Sequence, residues 1–407
     1  MKTIATSIAA VLAMLATAHP PRYILKDLGT LPGANFSQGT YINNNGSITG
    51  VSNTRANPNV SHAVLWSGGR IIDIATTGLG GPNSGALGVN TSGQVAGWAE
   101  SSERDPNQEN FCGYGTGLQC WPFLWQNGDM IKLPLLGGNN GAAGPINIRG
   151  EAVGIAETAD RDPECPGSVA VNGTGPQVLN FQAALWGPAP AQVRKLPHLP
   201  GDRVGEAFAI NDFGQVVGVS GSCANTILPG FAGGPHVVLW DTDHSVHRLP
   251  DFGGTIDPAN RNVLNSAWAI NNIGEIAGQL VLPGSTPDVS SQSFRAVLWT
   301  TDRVGNRVPH DLKTLHGDLN SAALAMNNVR VVAGASLAEN GNSRAFVWQN
   351  GVMEDLNELI PPESHMYLVV AFGINDAGQI VGFGATKNGE IHGFLATPNT
   401  GAALRQR

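Results

Sequence analysis

Apolar positions along this chain come in short alternating runs, never in the three-and-four spacing of a long amphipathic helix. In the stretch GEAFAINDFGQVVGVS (Gly205–Ser220), apolar and small or polar residues alternate on both sides of Asn211-Asp212-Phe213-Gly214. That is the pattern of two half-buried strands joined by a tight turn. Nearly the same words return in SAWAINNIGEIAGQL (Ser266–Leu280) and VAFGINDAGQIVGFG (Val370–Gly384). Aligning on the turn gives seven copies of an apolar residue, Asn, two free positions, Gly, then an alternation ending in Gly. The asparagines are Asn43, Asn90, Asn147, Asn211, Asn271, Asn327 and Asn375, spaced by 47 to 64 residues. Periods of this length belong to propellers rather than to thin solenoid coils.

A second signature follows each hairpin: HAVLW (His62–Trp66), WPFLW (Trp121–Trp125), QAALW (Gln182–Trp186), HVVLW (His236–Trp240), RAVLW (Arg295–Trp299) and RAFVW (Arg344–Trp348). The seventh copy reads HGFLA, with Ala396 where the others have Trp. A short turn and one more strand complete each unit, so the repeat holds four strands, a to d. Small residues on strand a suit a crowded innermost position, and Trp on strand c suits an apolar wedge between units. The seventh copy stops after its strand c, while an unpaired segment, YILKDLGTLPG (Tyr23–Gly33), precedes the first copy and matches strand d. Joining the two closes a ring. The expectation is an all-β fold: a seven-bladed β-propeller of four-stranded blades, closed by the N-terminal strand d pairing with the C-terminal strand c.

The turn residues follow from backbone chemistry. Asn at the first position and Gly at the fourth match a type I turn with a glycine in the left-handed region, the geometry that suits hairpin twist. The Asn side chain can also bond to the backbone of its own turn. The seven asparagines are therefore expected to be structural. Arg330 replaces the glycine in the sixth copy, where a left-handed non-glycine residue costs about 1 kcal/mol.

The combination of the Asn-x-x-Gly hairpin, HAVLW or RAFVW, and KDLGTLPG (Lys26–Gly33) resembles the HAF repeat, a family of extracellular repeat proteins. The resemblance covers essentially the whole chain after its first segment, with Arg330 and Ala396 as departures, and only three of the strand c signatures begin with His. It implies an exported repeat protein and brings no catalytic residues with it.

Composition narrows the class further. The chain has 407 residues, 13% of them charged and 6% aromatic, with 53 Gly and 26 Pro. A formal charge of −8 and the absence of any basic block exclude a nucleic-acid binder, which needs clustered Lys and Arg. The N-terminal segment has Lys2, an apolar stretch from Ile4 to Leu15 and Ala16-Thr17-Ala18, the anatomy of a cleaved signal peptide over residues 1–18. It is too short for a membrane span. The expected organisation is one propeller over 19–398 and a tail over 399–407, in a monomer that is secreted, periplasmic or extracellular. Four cysteines in an oxidising compartment favour disulfides. Cys112 and Cys120 share one loop, and Cys165 and Cys223 fall on adjacent blades, although other pairings remain open.

Strands a–b and c–d are joined by short turns on one face, and the long b–c connections of blades two to four share the other. Those connections, roughly 98–120, 155–181 and 219–234, carry all four cysteines and are the candidate binding face. Two of them echo each other, WAESSERDPN and IAETADRDPE, and place Glu100, Glu103, Asp105, Glu157, Asp160 and Asp162 on neighbouring blades. Such carboxylates could hold Ca²⁺, a hard cation taking six to eight oxygens. They fit no EF-hand spacing, so the plainer expectation is a solvated acidic rim paired with Arg104 and Arg161, with no cofactor. His62, His236 and His392 open strand c where Arg and Gln also occur, which points to bonding with a neighbouring backbone carbonyl rather than to a metal ring.

No nucleophile elbow, zinc-protease helix or phosphate loop is present. The sequence supports a non-enzymatic binding or surface-interaction module for an extracellular glycan, peptide or protein. A carbohydrate-active propeller enzyme and a purely structural envelope or matrix protein are the alternatives.

Overall fold

The computed structural model describes residues 22–165, 177–223, 226, 233–253, 264–285 and 292–399. The expected signal segment over residues 1–18 and nearly all of the expected tail lie outside these residues, as do parts of the b–c connections of blades three and four. Seven four-stranded antiparallel sheets are present, and in six of them the strands are consecutive in sequence. The seventh consists of Met366–Ile374, Ile380–Thr386 and Ile391–Pro398, completed by Tyr23–Asp27. Tyr23 lies opposite Pro398 and Asp27 opposite Phe394, so the two ends of the chain share one blade and close the seven-bladed ring.

All seven a–b turns are built alike. The Asn N–H of each donates to the carbonyl four residues on, for example Asn211 to Gln215 at 3.0 Å. The fourth residue donates back to the Asn carbonyl, as from Gly214 at 3.1 Å. The Asn Oδ1 accepts from the second and fourth residues beyond it, here Phe213 at 3.1 Å and Gln215 at 3.0 Å. Gly214 has φ +90° and Arg330 φ +61°, so the sixth copy adopts the left-handed geometry without glycine.

Every strand a carries a bulge three residues before its Asn, at Thr40, Leu87, Gly144, Phe208, Trp268, Leu324 and Phe372. The bulge bends the innermost strand and re-aims its side chain. It also brings the strand a backbone onto the last Gly of the motif. A Cβ on Gly218 would overlap the Glu206 carbonyl oxygen, and one on Gly382 would overlap that of Val370. The final glycine of the repeat is thus fixed by close approach.

Blades pack through apolar layers. Ala209, Val217 and Leu239 of blade four meet Ala267, Ile276 and Trp299 of blade five. The strand c tryptophans also bond between blades: Trp186 Nε1 donates to Pro134 O at 2.7 Å, Trp240 to Pro197 O at 2.6 Å and Trp299 to Pro250 O at 2.7 Å. In each case the Leu-Pro step ending strand d of the preceding blade supplies the acceptor. Among the described residues no helix is long and apolar enough to cross a membrane.

Candidate functional site

The b–c connections of blades two and three, expected as loops, begin and end in strand. Strand b of blade two runs through Val95–Arg104 and strand c begins at Leu118; in blade three the bounds are Ala152–Arg161 and Leu179. The echoing acidic words therefore lie on extended hairpins, and alternation along a strand splits their side chains between two environments.

Glu103 and Asp160 are exposed, as the acidic-rim expectation requires. The other four acids correct it: Glu100, Glu157, Asp105 and Asp162 are at most 4% exposed. Glu100 Oε2 accepts from the Asn83 amide at 2.7 Å, and its Oε1 from the Thr116 hydroxyl. Glu157 Oε2 accepts from Asn140 N and Nδ2, both at 3.0 Å, and its Oε1 from Gln177 at 2.9 Å. Asp105 Oδ2 shares the Asn140 amide at 2.9 Å, and Asp162 accepts from Asn180 at 2.8 Å. The arginines do not pair as expected: Arg161 donates to Asn107, and Arg203 pairs with Asp162 at 3.4 Å.

Glu109, missed in the sequence, joins this network from blade two. Its Oε1 accepts from Val178 N at 2.6 Å and Leu179 N at 3.0 Å in blade three. Burial, eased only in part by those bonds, lifts the Glu109 carboxyl above the usual range. Burial, then the Glu109 charge, pushes Glu157 well above it. The sequence signal was the pair Gly80-Gly81-Pro82-Asn83 and Gly137-Gly138-Asn139-Asn140: a Cβ on Gly81 or Gly138 would collide with Glu100 or Glu157. Cys112–Cys120 and Cys165–Cys223 are disulfide-bonded, the second linking blades three and four. Among the described residues, no group of three or more His, Cys, Asp or Glu is placed to hold a metal ion.

The strand c histidines have partners other than those expected. His62 Nδ1 pairs with Asp73 at 2.9 Å, His236 with Asp202 at 2.9 Å and His392 with Asp27 at 2.8 Å. Arg344 takes the same role with Asp355 at 3.0 Å. Backbone carbonyls do serve Gln182, which donates to Arg203 O at 2.7 Å, and Arg295, which donates to Leu319 O. A carboxylate on strand d or, as Asp202, on the connection leading into strand a attracts a cationic or N–H-bearing side chain more strongly than a carbonyl does. His392 also borders a groove in blade seven of about 590 Å³ lined by Asp27, His365, Lys387 and Glu390.

The side chains that stay half-buried on otherwise sealed innermost strands mark the axis. On Val204–Ile210 that residue is Glu206, and on Ser266–Ile270 it is Trp268. Glu206 lies opposite Val219, two positions from Val217, which packs on blade five; alternation therefore turns its carboxyl toward blade five. There the Trp268 ring stacks on Phe208, centroids 4.5 Å apart and tilted by 31°. Trp98 packs into the same cluster. Among the described residues, the buried atoms Glu206 Oε2 and Trp268 Nε1 have no hydrogen-bond partner. Burial alone drives the Glu206 carboxyl well above its ordinary range. The Phe208 and Trp268 rings, with Trp268 partly exposed, form an aromatic pair on two adjacent innermost strands, the candidate ligand platform.

No family model matches the chain, and no curated protein matches it. Among solved structures, Trypanosoma rangeli sialidase in complex with 2,3-difluorosialic acid is similar over 95% of this chain and 60% of its own, at 10% identity and TM-score 0.43. The same sialidase with sialic acid gives 91% and 55%, at 9% identity and TM-score 0.39. A mutant of AofleA from Arthrobotrys oligospora gives 82% and 88%, at 11% identity and TM-score 0.33. The chain thus spans about 60% of the sialidase. At these scores no residue role or activity passes to this chain.

Proposed function

We propose that the protein is exported after loss of residues 1–18 and acts as a monomeric, non-enzymatic propeller that binds a glycan at the axial site. The observation that carries this reading is the stack of Trp268 on Phe208, two aromatic side chains on adjacent innermost strands. Aromatic faces take the apolar face of a pyranose. The exposed Glu103 and Asp160 are the loop-face acids able to meet a longer chain.

Most glycoside hydrolases use two carboxyl groups roughly 5 to 9.5 Å apart around the scissile bond. The neighbouring carboxyls Glu109 and Glu157 are sealed at 0% exposure. No second carboxylate contributes to the shift at Glu206. The test is a glycan array read with the native protein and Trp268→Ala, followed by incubation of each bound glycan and analysis for shortened products. Binding lost in Trp268→Ala with no product supports the reading. Turnover, or binding indifferent to Trp268, overturns it.

A further inference from the structure

We infer that the groove of blade seven docks an extended basic segment of a partner protein, with alternate Lys or Arg side chains on Asp27 and Glu390. The groove holds about 590 Å³ and is open to solvent between strand d, the connection 361–365 and the b–c turn 386–390. That volume falls within the range of ligand pockets, roughly 300 to 1,000 Å³. Leu25 and Asp27 reach it from the N-terminal strand and its other walls come from the last blade, so the site exists only once the ring has closed. It is independent of the axial site.

Charge decides the sign of the partner. The Asp27 and Glu390 side chains are 47% and 43% exposed, and Glu363 on the same groove is exposed as well. Against these three carboxylates stand one ammonium, Lys387, and two imidazoles, His365 and His392. His392 sits between two of the acids, its Nδ1 2.8 Å from Asp27 and its Nε2 3.6 Å from Glu390. With His365 neutral, the wall stays acidic even when His392 is an imidazolium. The cations of adjoining elements are turned away or already engaged. Lys26 projects from the side of strand d opposite Leu25 and Asp27. Arg22 pairs with Glu354 at 2.5 Å, and Arg344 with Asp318 and Asp355 at 2.9 and 3.0 Å. Arg55 lies against Gly33, outside the groove lining. Glu358, on the short helix before the groove, adds to the negative side.

Spacing and lining give the second argument. Asp27 and Glu390 flank one imidazole ring, a separation that suits residues i and i+2 of an extended chain, whose side chains share a face about 7 Å apart. Leu25, Pro361 and Met366 give the groove an apolar lining. The alkyl stems of Lys or Arg cover such a surface while their charged heads reach the carboxylates, and Arg can hold a carboxylate by two parallel hydrogen bonds. Ser364 and Asn388 add a hydroxyl and an amide, which suit the C=O and N–H groups of a peptide backbone and have no counterpart on a bare polyamine. The His392 Nε2 atom is itself buried, so the imidazole positions the two acids and touches no ligand.

The experiment is fluorescence polarisation on the full chain with three probes: a labelled, end-capped peptide Ala-Arg-Ala-Arg-Ala, its counterpart with Gln for Arg, and spermidine as competitor. Each is run on the native protein, on the double variant Glu363→Gln with Glu390→Gln, on Lys387→Gln and on Trp268→Ala, with folding checked by thermal unfolding. The expected result is that the Arg peptide binds and the Gln peptide does not. The double variant should weaken binding about five- to tenfold, the scale of two part-exposed ion pairs. Lys387→Gln should tighten it, and raising salt from about 50 to 300 mM should weaken it. Trp268→Ala should leave it unchanged. The Arg peptide should also raise the unfolding midpoint, since the groove forms only in the closed ring. Equal binding of both peptides, binding indifferent to the groove carboxyls, or no binding overturns the proposal. Spermidine binding as tightly as the Arg peptide overturns the protein partner in favour of a free polyamine. Each of these failures leaves the axial glycan reading standing, because that reading rests on Trp268.

Discussion

The side-chain amide of Asn375 donates to the backbone carbonyl of Asn43 at 3.1 Å, across the seam where the last blade meets the first. The same bond recurs from Asn43 to Asn90, Asn90 to Asn147, Asn147 to Asn211, Asn211 to Asn271 and Asn327 to Asn375. Each asparagine holds its own turn with Oδ1 and the next blade with Nδ2. At the one remaining step, Asn271 instead bonds Glu275 at 3.2 Å, beside the Glu275–Arg330 pair. Asn375→Ala should therefore cost about 1 to 3 kcal/mol, since it leaves buried backbone groups unmatched. Asn271→Ala should cost less, having no inter-blade carbonyl bond to lose. Chemical denaturation of both variants checks the order.

Gly218→Ala should destabilise by about 1 to 3 kcal/mol, because the added methyl overlaps the Glu206 carbonyl and forces the bulge apart. Gly201→Ala, where φ is +94° but nothing lies within 4 Å, isolates the conformational cost alone. The overlap predicts the larger loss at Gly218, read from the two unfolding midpoints.

Arg330 sets left-handed strain against an ion pair with Glu275, its side chain 52% exposed. Relief of the strain is worth about 1 kcal/mol, and a pair this exposed contributes at most about as much. Arg330→Gly should be close to neutral. Arg330→Ala keeps the strain and loses the pair, so it should melt lower than Arg330→Gly.

The Cys165–Cys223 bridge closes 58 residues and Cys112–Cys120 closes 8. Chain entropy assigns about 4 kcal/mol to the first and about 2.5 kcal/mol to the second. Paired Cys→Ser variants should show the larger loss for 165 with 223, measured by denaturant unfolding.

Glu206 binds its proton more tightly folded than unfolded, so the folded state holds more protons between the ordinary carboxylate value and the raised one. Stability must fall as pH rises through that window. Glu206→Gln should flatten this fall and stabilise the protein at neutral pH, with little effect below pH 4; Glu157 leaves a residual slope. Thermal midpoints across a pH series decide it.

The blade count and the closing strand were legible because they are local: Asn and Gly at fixed offsets specify a turn, and alternation specifies the strands beside it. The unfinished seventh copy and the unpaired Tyr23–Gly33 segment completed each other for the same reason. The acidic hairpins were misread because alternation gives two faces without saying which is covered. Glu100 and Glu157 became buried only because strands b and c continue past the expected loop ends and the neighbouring Asn83 and Asn140 turn amides onto them.

The axial site was the least legible part. Glu206 stands in the first hairpin quoted, at a position that is Gln38, Gly85, Ala142, Ser266, Ala322 or Val370 in the other copies, and nothing local sets it apart. Sequence by itself determined the repeat, its turns and the ring, since backbone geometry within four or five residues dictates them. Tertiary structure alone decided that bulges in strands a aim Trp268 onto Phe208, and that the Glu206 carboxyl is buried. That outcome depends on which blade faces which, and on the water that closing the ring removes.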